Sequence, residues 1–105
     1  MGAALLDGSG QIHVGCNVEN ASYGLGVCAE RNAIAAAVAA GAESIAGIVV
    51  LTGISPPAAP CGACRQVLAE FGDFPVVLVN EAGERTESTV SELLPRSFGA
   101  EDLVR

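Results

Sequence analysis

Most of the chemistry this sequence can offer lies in four cysteines, Cys16, Cys28, Cys61 and Cys64. Cys61 and Cys64 stand three residues apart in Pro60-Cys61-Gly62-Ala63-Cys64, at what reads as a helix start. At that spacing both thiolates reach one ion. Cys28 opens Cys28-Ala29-Glu30-Arg31-Asn32-Ala33, the start of a second helix-favouring run. Two helix N-termini facing each other place partial positive charge on three thiolates and lower their pKa values. Three protein ligands leave the fourth tetrahedral position on Zn²⁺ open for water, the mark of a catalytic site. Glu30, two residues after a ligand, can stand beside that water without ligating. Together these residues offer a metal-activated water and a proton carrier.

Two other readings use the same residues. With Cys16 as a fourth ligand, the site is a closed Cys₄ zinc in an interaction module, and Glu30 is idle. Alternatively, Cys61-Gly62-Ala63-Cys64 is a redox dithiol opening a helix. That leaves Cys28 and Glu30 unexplained, and no thioredoxin-like order of elements precedes it. Arg31 has a physical reading of its own. Three thiolates and Zn²⁺ sum to one net negative charge, and a guanidinium beside them offsets it. The bland alternative is a solvated helix residue, and Arg65 carries the same ambiguity. Three further signals are weak. Gly24-Leu25-Gly26-Val27-Cys28-Ala29 loosely fits a dinucleotide-binding pattern, but no strand leads tightly into it. Asn20-Ala21-Ser22 is a glycosylation sequon, relevant only to a secreted chain. His13, the only histidine, points away from the apolar face of its strand and reads as surface or satisfied core.

The elements that must position these residues fit one domain, residues 1–105. Half of the chain is apolar and only 4 % aromatic, so the core rests on Ala, Val, Leu and Ile. Twelve acidic residues face five basic ones, a net −7, which argues against nucleic-acid or membrane-surface binding. All five basic residues are arginines, which excludes Schiff-base chemistry and a phosphate-binding P-loop. No apolar run approaches the roughly 18 residues of a membrane span, and no secretory signal opens the chain. The expectation is a cytoplasmic protein whose thiols stay reduced.

Gly2–Asp7, a turn at residues 8–10 and the alternating run Gln11–Val18 read as a β-hairpin, with Ile12, Val14, Cys16 and Val18 on one face. Residues 19–27 form a loop, residues 28–40 a helix that Gly41 can cap, and residues 44–51 a buried strand. A Pro-rich loop leads to a helix over residues 61–71, a strand at 75–80, a turn, a polar edge strand at 84–89 and a helical turn at 91–94. In the order β-β-α-β-α-β-β, strand–helix–strand crossovers need parallel neighbours and the tight final turn forces an antiparallel pair, which implies a mixed five-stranded sheet carrying helices.

The runs C-A-E-R-N-A and P-C-G-A-C-R-Q, with G-C-N-V-E-N-A-S-Y-G at Gly15–Gly24 and L-L-P-R-S-F-G-A-E-D-L at Leu93–Leu103, resemble the small homotetrameric zinc-dependent cytidine deaminases. The likeness covers nearly the whole chain. It implies a three-layer α/β/α fold and hydrolysis of cytidine and deoxycytidine to the uracil nucleoside and ammonia, in pyrimidine salvage. It implies zinc on Cys28, Cys61 and Cys64, and Glu30 as the proton shuttle. Asn17 and Glu19 would hold the ribose hydroxyls, and the backbone at Ala29 would meet the pyrimidine. Ala21, Tyr23 and Phe98 complete the substrate-binding set, with both aromatics building a neighbouring subunit's site in a homo-oligomer. Read from the residues alone, Asn17 and Glu19 are ordinary loop polars and the two aromatics are core. The family's usual N-terminal helix, which would cover one sheet face, is missing, so the chain reads as N-terminally truncated. The rivals are a structural-zinc module, a dithiol oxidoreductase and a deaminase of nucleoside antibiotics.

Overall fold

The computed structural model describes residues 1–103. Strands β1 (Gly2–Asp7) and β2 (Ile12–Cys16) precede helix α1 (Ala29–Ala39). Strand β3 (Ile45–Thr52), helix α2 (Gly62–Ala69), strands β4 (Pro75–Asn80) and β5 (Arg85–Thr89) and the short helix α3 (Val90–Leu93) follow. Two 3₁₀ turns, Tyr23–Leu25 and Ala100–Leu103, complete the order. Neither turn has a periodic apolar pattern, so neither was legible beforehand. The expected elements are all present, with no end moved by more than two residues.

The sheet runs β2-β1-β3-β4-β5. Only β3 and β4 pair in parallel; the other neighbours are antiparallel. With β1 antiparallel to both its neighbours, β2 and β3 point the same way. Both strand–helix–strand crossovers, β2-α1-β3 and β3-α2-β4, therefore advance in one direction across the sheet. Right-handed crossovers of that kind put both helices on one face. They also start both helices at the same end, where β2 and β3 finish. The topology thus gathers the two cysteine-bearing helix starts.

The helix-covered face holds the core: Ala3 and Leu5 of β1, Ile48 and Val50 of β3, Val76 and Leu78 of β4, packed with Ala33, Ile34 and Ala37 of α1 and Leu68 of α2. Gly15 on β2 faces α1, and a Cβ there would lie 2.4 Å from the Ala33 nitrogen and 2.6 Å from the Ala29 oxygen. Only a glycine lets the Ala-rich helix lie that close. After α1, Gly41 takes φ +95°, a conformation that glycine adopts without steric penalty, and its N–H bonds the Val38 carbonyl.

β2 alternates as expected, and its apolar face is the one left open to solvent. Ile12 and Val14 are 69 % and 70 % exposed. They share a face with Leu6, Val49 and Leu51, which is open to solvent. Of the three implied layers, the described residues form two, the sheet and one layer of helices. His13 is held on the helix side, its Nε2 2.8 Å from Asp7 Oδ2, so the satisfied-core reading holds. No described helix is long and apolar enough to cross a membrane.

Candidate active site

Cys28 is the N-cap of α1 and Cys61 the N-cap of α2, and neither side chain caps its own helix. Cys64 lies in the first turn of α2 and is fully buried. The sulfurs of Cys28, Cys61 and Cys64 all lie within 4.8 Å of one another, with Cys28 and Cys61 3.9 Å apart. Thiolates around a tetrahedral zinc at about 2.3 Å stand about 3.8 Å from each other, so the spacing fits the ion. It is far from the roughly 2 Å of a disulfide, and all four cysteines are free.

Cys16 is outside the cluster. Its side chain shares the open sheet face with Ile12 and Val14, opposite the helices, and period-2 alternation leaves it no route to the metal. That removes the closed four-cysteine reading. The backbone of Cys16 does contribute, because its carbonyl accepts a 2.7 Å hydrogen bond from Asn32 Nδ2, tying β2 to the first turns of α1. Sequence reasoning passed over Asn32; its place one helical turn after Cys28 was the available signal.

Glu30 is 0 % exposed, and neither carboxylate oxygen has a hydrogen-bond partner. Its charge is close enough to help raise the pKa of Cys64, after burial and the Cys61 side chain. The Cys61 thiol shifts the other way, lowered first by the Cys64 backbone N–H. Arg31 places Nη2 3.9 Å from Cys28 Sγ, and its hydrogen bonds to Cys28 and Cys64 strengthen its positive charge. Arg65 spends its donors on the Pro60 and Leu93 carbonyls instead, so Arg31 is the guanidinium at the sulfurs.

The loop leaving β2 begins at Asn17 and returns to Cys28, closed by a Val18–Val27 bridge. Asn17 Nδ2 donates to Glu19 Oε1 at 3.0 Å. Ala21 is exposed on this loop, and Tyr23 is 94 % exposed. Phe98 is 58 % exposed, so neither aromatic is core. The Ala29 side chain is buried, with its carbonyl beside Gly15. A hollow of about 420 Å³ lined by Asp7, Ser9, Gln11, His13 and Ser44 lies at the far end of α1, away from the sulfurs.

A mixed sheet that brings three cysteine sulfurs together, with a bare buried carboxylate whose charge acts on one of them, defines a zinc hydrolase domain. Residues 1–80 match the family model of the cytidine and deoxycytidylate deaminase zinc-binding region. A cytidine deaminase of Sporosarcina psychrophila is 49 % identical over 98 % of this chain and 77 % of its own length. A probable cytidine deaminase of Dictyostelium discoideum is 50 % identical over 99 % of this chain and 71 % of its own. The crystal structure of a Burkholderia pseudomallei cytidine deaminase superposes with a TM-score of 0.89, at 48 % identity, over 92 % of this chain and 80 % of that one. The chain belongs to the cytidine deaminase family.

Proposed function

We propose that this chain hydrolyses cytidine and deoxycytidine to uridine and deoxyuridine plus ammonia, with zinc on Cys28, Cys61 and Cys64 and Glu30 as the proton carrier. The observation that carries the reading is the Glu30 carboxylate, wholly buried, unpartnered and beside three converging sulfurs. A buried charge without a partner is expensive, and such groups mark sites that await a ligand. Zinc held by Cys28, Cys61 and Cys64 would supply a Lewis acid able to activate water at neutral pH.

Glu30 takes one proton from the attacking water and gives it to N3 of the base as the oxygen bonds to C4. The second proton, from the new hydroxyl, passes through the same carboxylate to the amino group. The C4–N bond then breaks and ammonia leaves, with N3 still protonated as in the uracil product. Arg31, with its guanidinium at Cys28 and Cys64, offsets the negative charge of the thiolates. Asn17 and Glu19 hold the sugar hydroxyls, the backbone at Ala29 faces the base, and Ala21 lines the same loop.

Tyr23 and Phe98 serve the site of a neighbouring copy in a homotetramer. Support comes from their exposure, which a lone chain does nothing with. The free thiols fit a reducing cytoplasm, and the reaction fits the recovery of pyrimidine nucleosides. Metal analysis of the purified protein, combined with loss of cytidine absorbance on adding it, tests the reading. One zinc per chain with turnover is expected; zinc without turnover on any cytosine nucleoside would reject it.

A further inference from the structure

Arg65 and Gln66 are neighbours on α2, and neither reaches the sulfur cluster. The Arg65 guanidinium donates through Nε to the Pro60 carbonyl and through Nη1 to the Leu93 carbonyl, both at 2.7 Å. Pro60 is fully buried and directly precedes the ligand Cys61. Leu93 ends α3 and opens the stretch that runs to Phe98. Gln66 Nε2 donates to the Phe98 carbonyl at 2.8 Å. Two adjacent side chains thus grip three backbone carbonyls, one at the metal loop and one at each end of the stretch 93–98.

Between those two grips, residues 94–97 lie in no helix or strand. Leu94 N–H still bonds the Val90 carbonyl of α3, and beyond it the side-chain anchors, not a backbone ladder, set the path. Bonds to main-chain carbonyls fix a position whatever side chain the residue carries, and those from a guanidinium are charge-assisted and stronger than neutral ones. At the far anchor the backbone of Phe98 is held while the residue stays 58 % exposed. The ring is presented outward from a fastened base, not packed into this chain's own core.

We propose that Arg65 and Gln66 are positioning residues that set the Phe98 ring relative to the metal loop, so that substrate affinity depends on two side chains that touch neither metal nor substrate. This rests on the reading of Phe98 as a substrate-site aromatic. Because one helix turn holds both the loop before Cys61 and the Phe98 backbone, the clasp also links each chain's metal loop to the ring it lends to a neighbour.

The test is a double-mutant cycle on the full chain. Gln66→Leu and Arg65→Met are made alone and with Phe98→Ala, and KM and kcat for cytidine, zinc per chain and Tm are measured. Phe98→Ala is expected to raise KM. Gln66→Leu is expected to raise KM about 3- to 10-fold, the scale of one hydrogen bond, with kcat within about 2-fold and zinc retained. In the Phe98→Ala background the Gln66→Leu effect should vanish. Gln66→Lys keeps a donor and should return KM toward the parent value. An unchanged KM for Gln66→Leu, beside a raised one for Phe98→Ala, overturns the clasp and leaves the reading of Phe98 standing. No effect of Phe98→Ala overturns both. An equal rise from Gln66→Leu in both backgrounds places Gln66 elsewhere and also overturns the clasp. Should Arg65→Met fail to fold, Gln66, at an exposed position, carries the test.

Discussion

A carboxylate sealed from water needs either a proton or a nearby positive charge to be tolerated. Glu30 accepts no hydrogen bond and sits beside sulfurs placed to hold a dication. Glu30→Gln keeps the shape and removes the proton carrier. It should retain zinc and fold while deamination falls by about 10²–10⁴-fold or more, because one group serves two transfers. Zinc analysis beside a cytidine assay checks this, and loss of zinc would make Glu30 a ligand or prop instead. Cys16→Ala should keep one zinc per chain, since Cys16 lies on the opposite sheet face, whereas Cys61→Ala should lose it. Arg31→Gln should keep the fold but lower zinc affinity or kcat by about 10- to 100-fold, the usual range for partners of metal ligands. Chelator competition and steady-state rates separate the two.

At the scale of the elements, two features hold the site's scaffold. The first is the Asp7 carboxylate at the β1–β2 turn. It accepts from Ser9 N, Ser9 Oγ, Gln11 N and the His13 ring. These bonds, the His13 one foremost, hold its pKa well below the usual carboxylate value. A carboxylate depressed in the folded state stabilises above its unfolded pKa, about 4, and that contribution fades as pH falls below it. Urea midpoints measured between pH 7 and pH 2 should therefore drop in the parent, and drop less in Asp7→Asn, which starts lower. Equal slopes would show that Asp7 is not linked to folding. The second feature is the contact of α1 with β2. Gly15→Ala would force a Cβ to 2.4 Å from the Ala33 nitrogen. Backbone cannot yield as a flexible side chain can, so the cost should be about 1–3 kcal/mol or more, read from denaturant midpoints. The end of β2 must also shift, so KM should rise through Asn17.

For the whole molecule, exposed apolar groups are the dominant fact. Ile12, Val14, Leu6, Val49 and Leu51 crowd one sheet face, and Tyr23, Leu25 and Phe98 project elsewhere. A small domain gains much by burying such surface against copies of itself. Light scattering at micromolar concentration should give an oligomer, four chains in the proposed assembly, whose dilution lowers activity. A stable monomer with full activity would refute shared sites.

The residues carrying chemistry were legible because covalent spacing does the work. Cys61 and Cys64 must share a helix turn, Cys28 must open a helix two residues before Glu30, and the apolar runs name their own strands and helices. The sequence alone could not decide among three or four ligands, between Arg31 and Arg65, or which face of β2 is packed. Each of those depends on partners distant in the chain. Both crossovers advance the same way, so both helices take one sheet face, and strand parity then sends Cys16 and the apolar Ile12 and Val14 to the other. Arg65 reaches the Leu93 carbonyl because α3 is folded against α2, and with its other bond to the nearby Pro60 carbonyl this leaves Arg31 as the guanidinium at the thiolates. Local residue order determined what could react; the direction of the crossovers decided which of those groups meet.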